Sequence, residues 1–155
     1  MNIRPAIDTD FPLLVRLGKL LFEQHRVQDA EYYKMEEEFD SHFSRWLTEQ
    51  ITIPNRFVFT ATEEDSIRGF ISGYVKYLFP WLKIKSVGHI SFLVIDPVCQ
   101  RKGIGRKLLD HAEQWFAVRN LHYVELYVEE SNLSGLSAWD TYGFSNFKKF
   151  LRKNI

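Results

Sequence analysis

Apolar residues recur along the first third of the chain at the spacing of amphipathic helices. Leu13, Leu17 and Leu20 form one stripe, and a second stripe runs from Met35 to Leu47. A short first strand is predicted before them, at "NIRPA". The chain is therefore expected to begin with one strand and two helices.

The middle of the chain changes to strand patterns. The segment "RFVFTATEEDSIRGFISGYVKYLF" predicts two strands around an acidic turn from Glu63 to Ser66. The next apolar run, "GHISFLVI", is almost continuous and ends at Asp96-Pro97. Such a run is typical of a central strand that is buried on both faces.

In the last third of the chain, segments with the helical period alternate with segments with the strand period. A strong helical stripe runs from Ile104 to Phe116, and "HYVELYVEE" then alternates as a strand does. A weaker helix at "NLSGLSAWDTY" and a last strand at "GFSNFKKFLRK" complete the prediction. The order β-α-α-β-β-β-α-β-α-β indicates an α/β chain with a mixed sheet, and residues 1–155 are expected to form a single domain.

The composition of the chain argues against several classes of function. The 155 residues carry 20 Lys and Arg against 20 Asp and Glu, so no basic excess suggests nucleic-acid binding. Cys99 is the only cysteine, and the five histidines show no metal spacing, so neither a disulfide nor a metal site is expected. The first residues lack a signal-peptide pattern and no apolar run approaches a membrane span. We expect a cytoplasmic protein that binds neither membrane nor nucleic acid.

The stretch "CQRKGIG" lies between the central strand and the helix that follows it. The first amides of a helix have no helical acceptor, and the helix dipole favours an anion there. Gly103 and Gly105 have no Cβ, so a phosphate can approach the main chain closely. Arg101, Lys102 and Arg106 add positive charge. The loop is therefore a candidate diphosphate site.

Two familiar phosphate loops do not fit this stretch. The chain has no GxxxxGK pattern, and Leu108 occupies the place of the third glycine of GxGxxG. Glycines that serve only a turn and local packing remain the alternative explanation at this point.

The stretch around the loop resembles the GNAT family of N-acetyltransferases. That family's acyl-CoA loop has Gln or Arg, then Gly three residues later, and Gly or Ala two residues after that, as in "QRKGIG". "IRPAIDTD", "ISFLVIDPVCQRKGIGRKLL", "VELYVEESN" and "YGF" resemble further elements of the family, in the family's order. The resemblance implies a single-domain acyl-CoA N-acyltransferase fold with a mixed, mostly antiparallel sheet flanked by helices.

The resemblance also implies where acetyl-CoA, the acyl donor, would bind. In the family the fourth and fifth strands splay apart, and the pantetheine arm pairs with exposed main chain between them. That role would fall to Leu93, Val94 and Ile95. The pyrophosphate would lie over the loop, whose residues are Gln100, Arg101, Lys102, Gly103, Ile104 and Gly105, with Arg106 near it.

Asn132 and Trp139 both follow the predicted fifth strand, and their roles have competing interpretations. Asn132 stands where the family often binds the pantetheine amide, but an Asn before a helix is equally suited to be its N-cap. Trp139 occupies the usual place of a tyrosine that protonates the leaving thiolate, and an indole cannot do this. We therefore assign Trp139 to a wall of the thioester pocket.

The departure at Trp139 moves the acid–base candidates elsewhere. Tyr142, three residues further along, is the candidate acid, and a packed aromatic at a helix end is its alternative role. On the fourth strand Ser91 stands where the family often has an acidic residue. His89 is the candidate base, since an imidazole accepts a proton near neutral pH, and packing is its alternative role. Glu129 and Glu130 are further candidates.

Two functions from different classes follow. The first is an acetyl-CoA-dependent N-acetyltransferase that moves an acetyl group to a primary amine of a small molecule or peptide by direct attack. The second is an acyl-CoA-binding module with weak or no catalysis. The expected partners are acetyl-CoA and an amine acceptor, and the sequence leaves a homodimer open.

Overall fold

One five-stranded sheet organises the molecule. The computed structural model describes residues 1–155. The strands are β1 (Asn2–Pro5), β2 (Arg56–Glu63), β3 (Ser66–Tyr77), β4 (Ser86–Ile95) and β5 (Val124–Glu125). They lie in the sheet in chain order. The first four pair antiparallel, and β5 joins β4 in parallel, so the predicted α/β class with a mixed sheet is confirmed.

Helices cover both faces of this sheet. They are α1 (Phe11–Gln28), α2 (Phe39–Thr52), α3 (Ile104–Ala117) and α4 (Leu133–Thr141). One apolar cluster joins α1 and α2 to the sheet, and the other joins α3 and α4 to the opposite face. None of the helices is both long enough and apolar enough to cross a bilayer.

Strand alternation separates the two clusters. On β2, Phe57 and Phe59 belong to the α3 cluster, whereas Val58 between them belongs to the α1–α2 cluster. Successive side chains of a strand point to opposite faces, so each inner strand supplies both clusters. This explains why the central strands have nearly continuous apolar sequences.

The acidic turn is confirmed as a tight hairpin. Glu64 and Asp65 connect β2 to β3, and their φ angles are +49° and +59°. A two-residue hairpin with both central residues at positive φ matches the right-handed twist of the strands it joins.

The last predicted strand does not form. Residues after Gly143 have no assigned helix or strand, and Phe147, Phe150 and Leu151 are exposed. The aromatic residues of this segment recur every three positions, at Phe144, Phe147 and Phe150, so a strand would send them alternately to opposite faces. The segment therefore lacks the single apolar face that would hold it against the sheet.

Candidate active site

The strands β4 and β5 are paired at only two positions. Gly88 lies opposite Val124 and His89 opposite Glu125, and beyond them β4 continues to Ile95 beside β3 alone. The register of β3 against β4 shifts here, with Ser91 as the extra residue. A bulge bends its strand and increases the local twist, which separates β4 from β5. This explains why β5 is much shorter than its alternating sequence predicts.

The open edge of β4 contains the residues predicted to receive pantetheine. Val94 packs into the α1–α2 cluster, while Leu93 and Ile95 pack against the α3 cluster. Their side chains are therefore part of the core. Any role in binding pantetheine would use the main chain on the side that β5 leaves free, and it stays a prediction.

The glycine loop adopts the conformation of an anion site. Arg101 and Gly103 both have positive φ, +61° and +75°, and Gly103 is the N-cap residue of α3. The first helical hydrogen bond runs from Lys107 N to Gly103 O at 3.2 Å. The backbone amides of residues 101–106 donate to no acceptor in the protein. They stand at the positive end of the helix dipole, where an anion is favoured.

The two glycines of the loop serve different purposes. Gly103 is exposed and a Cβ there would contact nothing, so it is needed for its left-handed conformation. Gly105 is buried, and a Cβ there would lie 2.7 Å from Tyr142 Oη. The sequence left two explanations open for Gly105, the approach of a phosphate and local packing, and the structure gives it a packing role against Tyr142.

The basic side chains of the loop differ in how free they are. Arg106 pairs with Asp110 at 2.7 Å and with Glu113 at 3.6 Å along its own helix. Arg101 and Lys102 are exposed and make no ion pair. The positive charge available to a phosphate therefore comes chiefly from Arg101 and Lys102.

Trp139 and Tyr142 pack at the end of α4 against the α3 cluster. The Trp139 ring meets that of Tyr142 edge-on at 5.8 Å and that of Phe144 at 5.2 Å. The Tyr142 hydroxyl reaches the first turn of α3 beside Gly105. The guanidinium carbon of Arg106 lies 6.0 Å from the centre of the Tyr142 ring. These contacts account for Tyr142 as a packed aromatic, and its role as an acid stays a prediction.

Asn132 caps α4. Its Oδ1 accepts from Gly135 N at 3.0 Å and from Ser134 Oγ at 3.2 Å. This is the capping role that the sequence offered as one of two. The other role, toward pantetheine, stays a prediction.

His89 lies on the α1–α2 face of the sheet. Its ring centre is 4.9 Å from that of Tyr74 and 5.3 Å from that of Tyr127. The side chain is buried and its Nδ1 has no hydrogen-bond partner. Burial lowers the pKa of His89 below its ordinary 6.5, nearby Lys76 lowers it further, and Glu125 partly opposes both. The ring is therefore neutral at pH 7, as a base must be.

A row of polar residues crosses the sheet at His89. Arg56 of β2 lies opposite Tyr74 of β3, Tyr74 lies opposite His89, and His89 lies opposite Glu125 of β5. Lys76 donates to Glu125 at 3.1 Å. Sequence reasoning found only His89 in this row, because each residue of the row comes from a different strand and only the register of the sheet aligns them.

Glu129 has a partner that the sequence did not indicate. Tyr33, in the segment between α1 and α2, donates its hydroxyl to Glu129 beyond the end of β5. Burial and the carboxylate of Glu129 both raise the pKa of Tyr33. The ring of Tyr33 also stacks near that of His25, with 4.9 Å between the centres. Glu129 therefore connects the segment between α1 and α2 to the chain that follows β5.

The two candidate acid–base residues lie on opposite faces of the sheet. Tyr142 packs on the α3 face and His89 lies on the α1–α2 face. The unpaired part of β4, beside which β5 has ended, lies between those two faces. A ligand lying at this unpaired edge of β4 would contact the glycine loop before α3 on one side and the polar row on the other.

Comparison with known proteins identifies the family to which this chain belongs. A model of the acetyltransferase (GNAT) family matches residues 19–144. Mycothiol acetyltransferase of Beutenbergia cavernae is 37% identical over 67 residues, which cover 42% of this chain and 23% of that protein. The Rhodococcus erythropolis protein of the same name is 32% identical over 57% of this chain and 29% of its own length. The match thus spans about a quarter of these curated relatives.

Solved structures share the fold over almost the whole chain. A variant of the BH1408 protein from Bacillus halodurans aligns with a TM-score of 0.88 at 19% identity, covering 100% of this chain and 99% of that one. A Clostridium acetobutylicum protein, described as a predicted acetyltransferase and solved with acetyl-CoA, aligns with a TM-score of 0.76 at 21% identity, covering 99% and 95%. At this level of identity the likeness shows the fold alone.

Proposed function

This chain belongs to the acetyltransferase (GNAT) family, and on that premise we propose that it transfers an acetyl group from acetyl-CoA to a primary amine of a small molecule or peptide. The observation that carries the proposal is the open edge of β4 beside a loop with free backbone amides. One feature can pair with the amides of pantetheine, and the other can bind a diphosphate.

The donor would lie along this edge. Its diphosphate would lie over residues 100–105 and bind the free amides of residues 101–105, with Arg101 and Lys102 providing charge. Its pantetheine would pair with the main chain of Leu93 to Ile95 and reach the bulge at Ser91. Trp139 would contribute apolar surface, Ile104, whose side chain is buried in the core, would contribute its backbone amide, and Asn132 would contribute its remaining amide hydrogens.

The transfer is a direct displacement. The amine nitrogen attacks the thioester carbonyl carbon, a C–N bond forms, and the C–S bond breaks. His89, neutral at pH 7, takes the proton that the amine loses, directly or through one water. The leaving thiolate takes a proton from Tyr142, the candidate acid, or from water.

Positioning supplies much of the rate in such a reaction. Holding the amine and the thioester together is worth an effective molarity that can reach on the order of 10⁵ M or more. Losing one acid commonly costs about 10²–10⁴-fold. The chain can therefore act as an enzyme even with Trp139 in place of the usual acid.

Release of free thiol from acetyl-CoA, measured with a panel of amines, tests the proposal. Thiol release that depends on an amine supports the transferase. Binding of acetyl-CoA by calorimetry, with no thiol release for any amine, would instead favour the alternative function, an acyl-CoA-binding module.

Two broader proposals accompany this function. We infer a cytoplasmic location, because acetyl-CoA must be available, and because Cys99 is buried and free in a chain that has no disulfide. A homodimer stays a prediction, as does the assignment of residues 1–155 to one domain. Sedimentation measurements on the purified chain would determine its oligomeric state.

A further inference from the structure

A cavity of about 190 Å³ lies on the α1–α2 face of the sheet, next to the bulge of β4. It is lined by Trp46, Gln50, Arg56, Tyr74 and Ser91. At roughly 30 Å³ per water, this volume corresponds to about six water molecules. Since Ser91 is the bulge residue, the cavity adjoins the end of the proposed donor site where the thioester would lie.

Arg56 contributes an unneutralised charge to this cavity. Three arginines of the chain are half-buried: Arg4, Arg56 and Arg68. Arg4 pairs with Asp10 at 2.7 Å, and Arg68 lies 3.7 Å from Glu63. Arg56 has no carboxylate within 4.0 Å. A charge that is partly removed from water is costly unless it is paired, so Arg56 lacks the partner that the other two have.

A buried amide holds Arg56 in place without neutralising it. Gln50 is only 4% exposed. With its oxygen turned toward the nearby donors, Gln50 accepts from Arg56 Nη1 at 3.2 Å and from Trp46 Nε1 at 3.2 Å. The guanidinium is thereby fixed at the wall of the cavity and keeps its full positive charge.

The polar row places this charge relative to the proposed chemistry. Arg56 and His89 are separated by Tyr74 and lie two strands apart. Neighbouring strands are about 4.8 Å apart, so the two backbones are roughly 10 Å apart. An acceptor lying across Tyr74 would meet a cation at one end and a neutral imidazole at the other.

We propose that the acceptor is an amine that also carries a carboxylate several bonds away, as a dipeptide does. Arg56 binds the carboxylate, the side chains of Trp46 and Tyr74 contact the body of the acceptor, and the amine lies toward His89. This inference rests on the proposed acetyl transfer and specifies its acceptor.

The chemistry of the site selects a carboxylate. A guanidinium presents two parallel N–H groups that match a carboxylate, and one cation neutralises one negative charge. An extended dipeptide spans about 7 Å. This length suits the roughly 10 Å between the backbones of Arg56 and His89, because the two side chains occupy the rest of that distance. A phosphate dianion would leave one charge without a partner here.

Binding of the reaction product tests the site without requiring turnover. The probes are N-acetyl-glycyl-phenylalanine and its C-terminal carboxamide, which differ only in charge and are titrated into the full chain with CoA present. We expect the acid to bind at least about tenfold more tightly, equivalent to 1.4 kcal/mol. In Arg56→Gln the two affinities should become equal. The control Arg45→Gln removes an exposed, unpaired arginine of α2 and should keep the ratio.

A second variant keeps the test decisive if Arg56→Gln does not fold. Gln50→Glu places a carboxylate against Arg56 with little change of shape, and it should reduce the preference for the acid toward equality. Equal binding of acid and carboxamide to the wild-type chain would overturn the inference. A tenfold preference that persists in a folded Arg56→Gln or Gln50→Glu protein would also overturn it.

Kinetics separate this inference from the proposed function. Glycyl-phenylalanine should exceed its carboxamide in kcat/KM by about the same factor as the binding ratio. If no amine is acetylated but the binding ratio holds, the proposed transfer fails and the carboxylate site stands. If the dipeptide and its amide are acetylated equally well, or if phosphoethanolamine is preferred to both, the carboxylate site fails and the transfer stands.

Discussion

The proposed donor and acceptor sides of the β4–β5 cleft are built in opposite ways. On the donor side, the backbone forms most of the site. Seven consecutive residues, "CQRKGIG", provide most of the free amides, two left-handed positions and most of the available charge. On the acceptor side, side chains from α2 and four strands meet, including Arg56, Tyr74 and His89.

This difference explains why a motif reveals one side and not the other. A site made of consecutive backbone amides needs a local conformation, so it leaves a short pattern of glycines in the sequence. A site made of side chains needs only the correct register between distant strands. We therefore expect single substitutions on the proposed acceptor side to change the acceptor while the donor loop stays the same.

The largest effect is expected from Gly105→Glu on the donor side. The new carboxylate would oppose a diphosphate at the free amides, and its Cβ would collide with Tyr142 Oη, 2.7 Å away. We expect no measurable binding of acetyl-CoA by calorimetry in a protein that is folded by circular dichroism. Gly105→Gln has the same bulk without the charge and separates the two causes. Wild-type affinity in a folded Gly105→Glu chain would remove the phosphate site.

The next largest effect is expected from His89→Gln on the acceptor side. Loss of a general base should lower kcat about 10²–10⁴-fold and leave acetyl-CoA binding unchanged. Burial lowers the pKa of His89 below 6.5, and the base works when unprotonated, so the wild-type rate should fall only as the pH drops through that lowered pKa. This acid limb should disappear in the variant.

His122→Gln serves as the control for His89, since His122 is exposed in the loop before β5. It should retain both the rate and the pH profile. An unchanged rate in His89→Gln would return His89 to a packing role and leave the acceptor side without a base.

A smaller effect tests the contact between the two ends of the donor side. Gly105→Ala should lower the free energy of unfolding by about 1–3 kcal/mol, because the new methyl group overpacks against the Tyr142 hydroxyl. Tyr142→Phe removes that hydroxyl, so the double variant should recover most of the loss in denaturant unfolding.

The single variant Tyr142→Phe also reports on the acid. Packing accounts for the position of Tyr142, so we expect its rate to be retained. A fall of roughly 10²-fold with unchanged acetyl-CoA affinity would assign proton donation to Tyr142.

The smallest effect concerns the exposed charges of the loop. Arg101→Gln and Lys102→Gln should each weaken acetyl-CoA binding a few-fold, since exposed charge pairs contribute about 0.2–1 kcal/mol. The loss should shrink as salt rises, because screening acts beyond about 10 Å at 0.1 M. Arg106→Gln should matter less, as Asp110 and Glu113 already hold that side chain. A larger loss in Arg106→Gln than in the other two would show that this arginine turns toward the donor.

Much of the fold could be predicted from local pattern. The helical stripes located α1 and α3, and the acidic turn located the β2–β3 hairpin. The prediction of a last strand after the YGF turn was wrong, since the aromatic residues of that segment recur every three positions rather than every two. β5 was predicted too long because its alternation is local, whereas its pairing depends on the bulge at Ser91 in another strand.

The sequence by itself indicated the candidate donor loop, the fold class and the family resemblance, because consecutive residues with fixed periods and glycine positions carry them. Only the tertiary structure decided that Tyr142 fills the space left by Gly105, and that Arg56, Tyr74 and His89 form one row. It also decided that Arg56, unlike Arg4 and Arg68, lacks a carboxylate. Such relations depend on strand register and packing between segments far apart in the chain, and a local pattern contains neither.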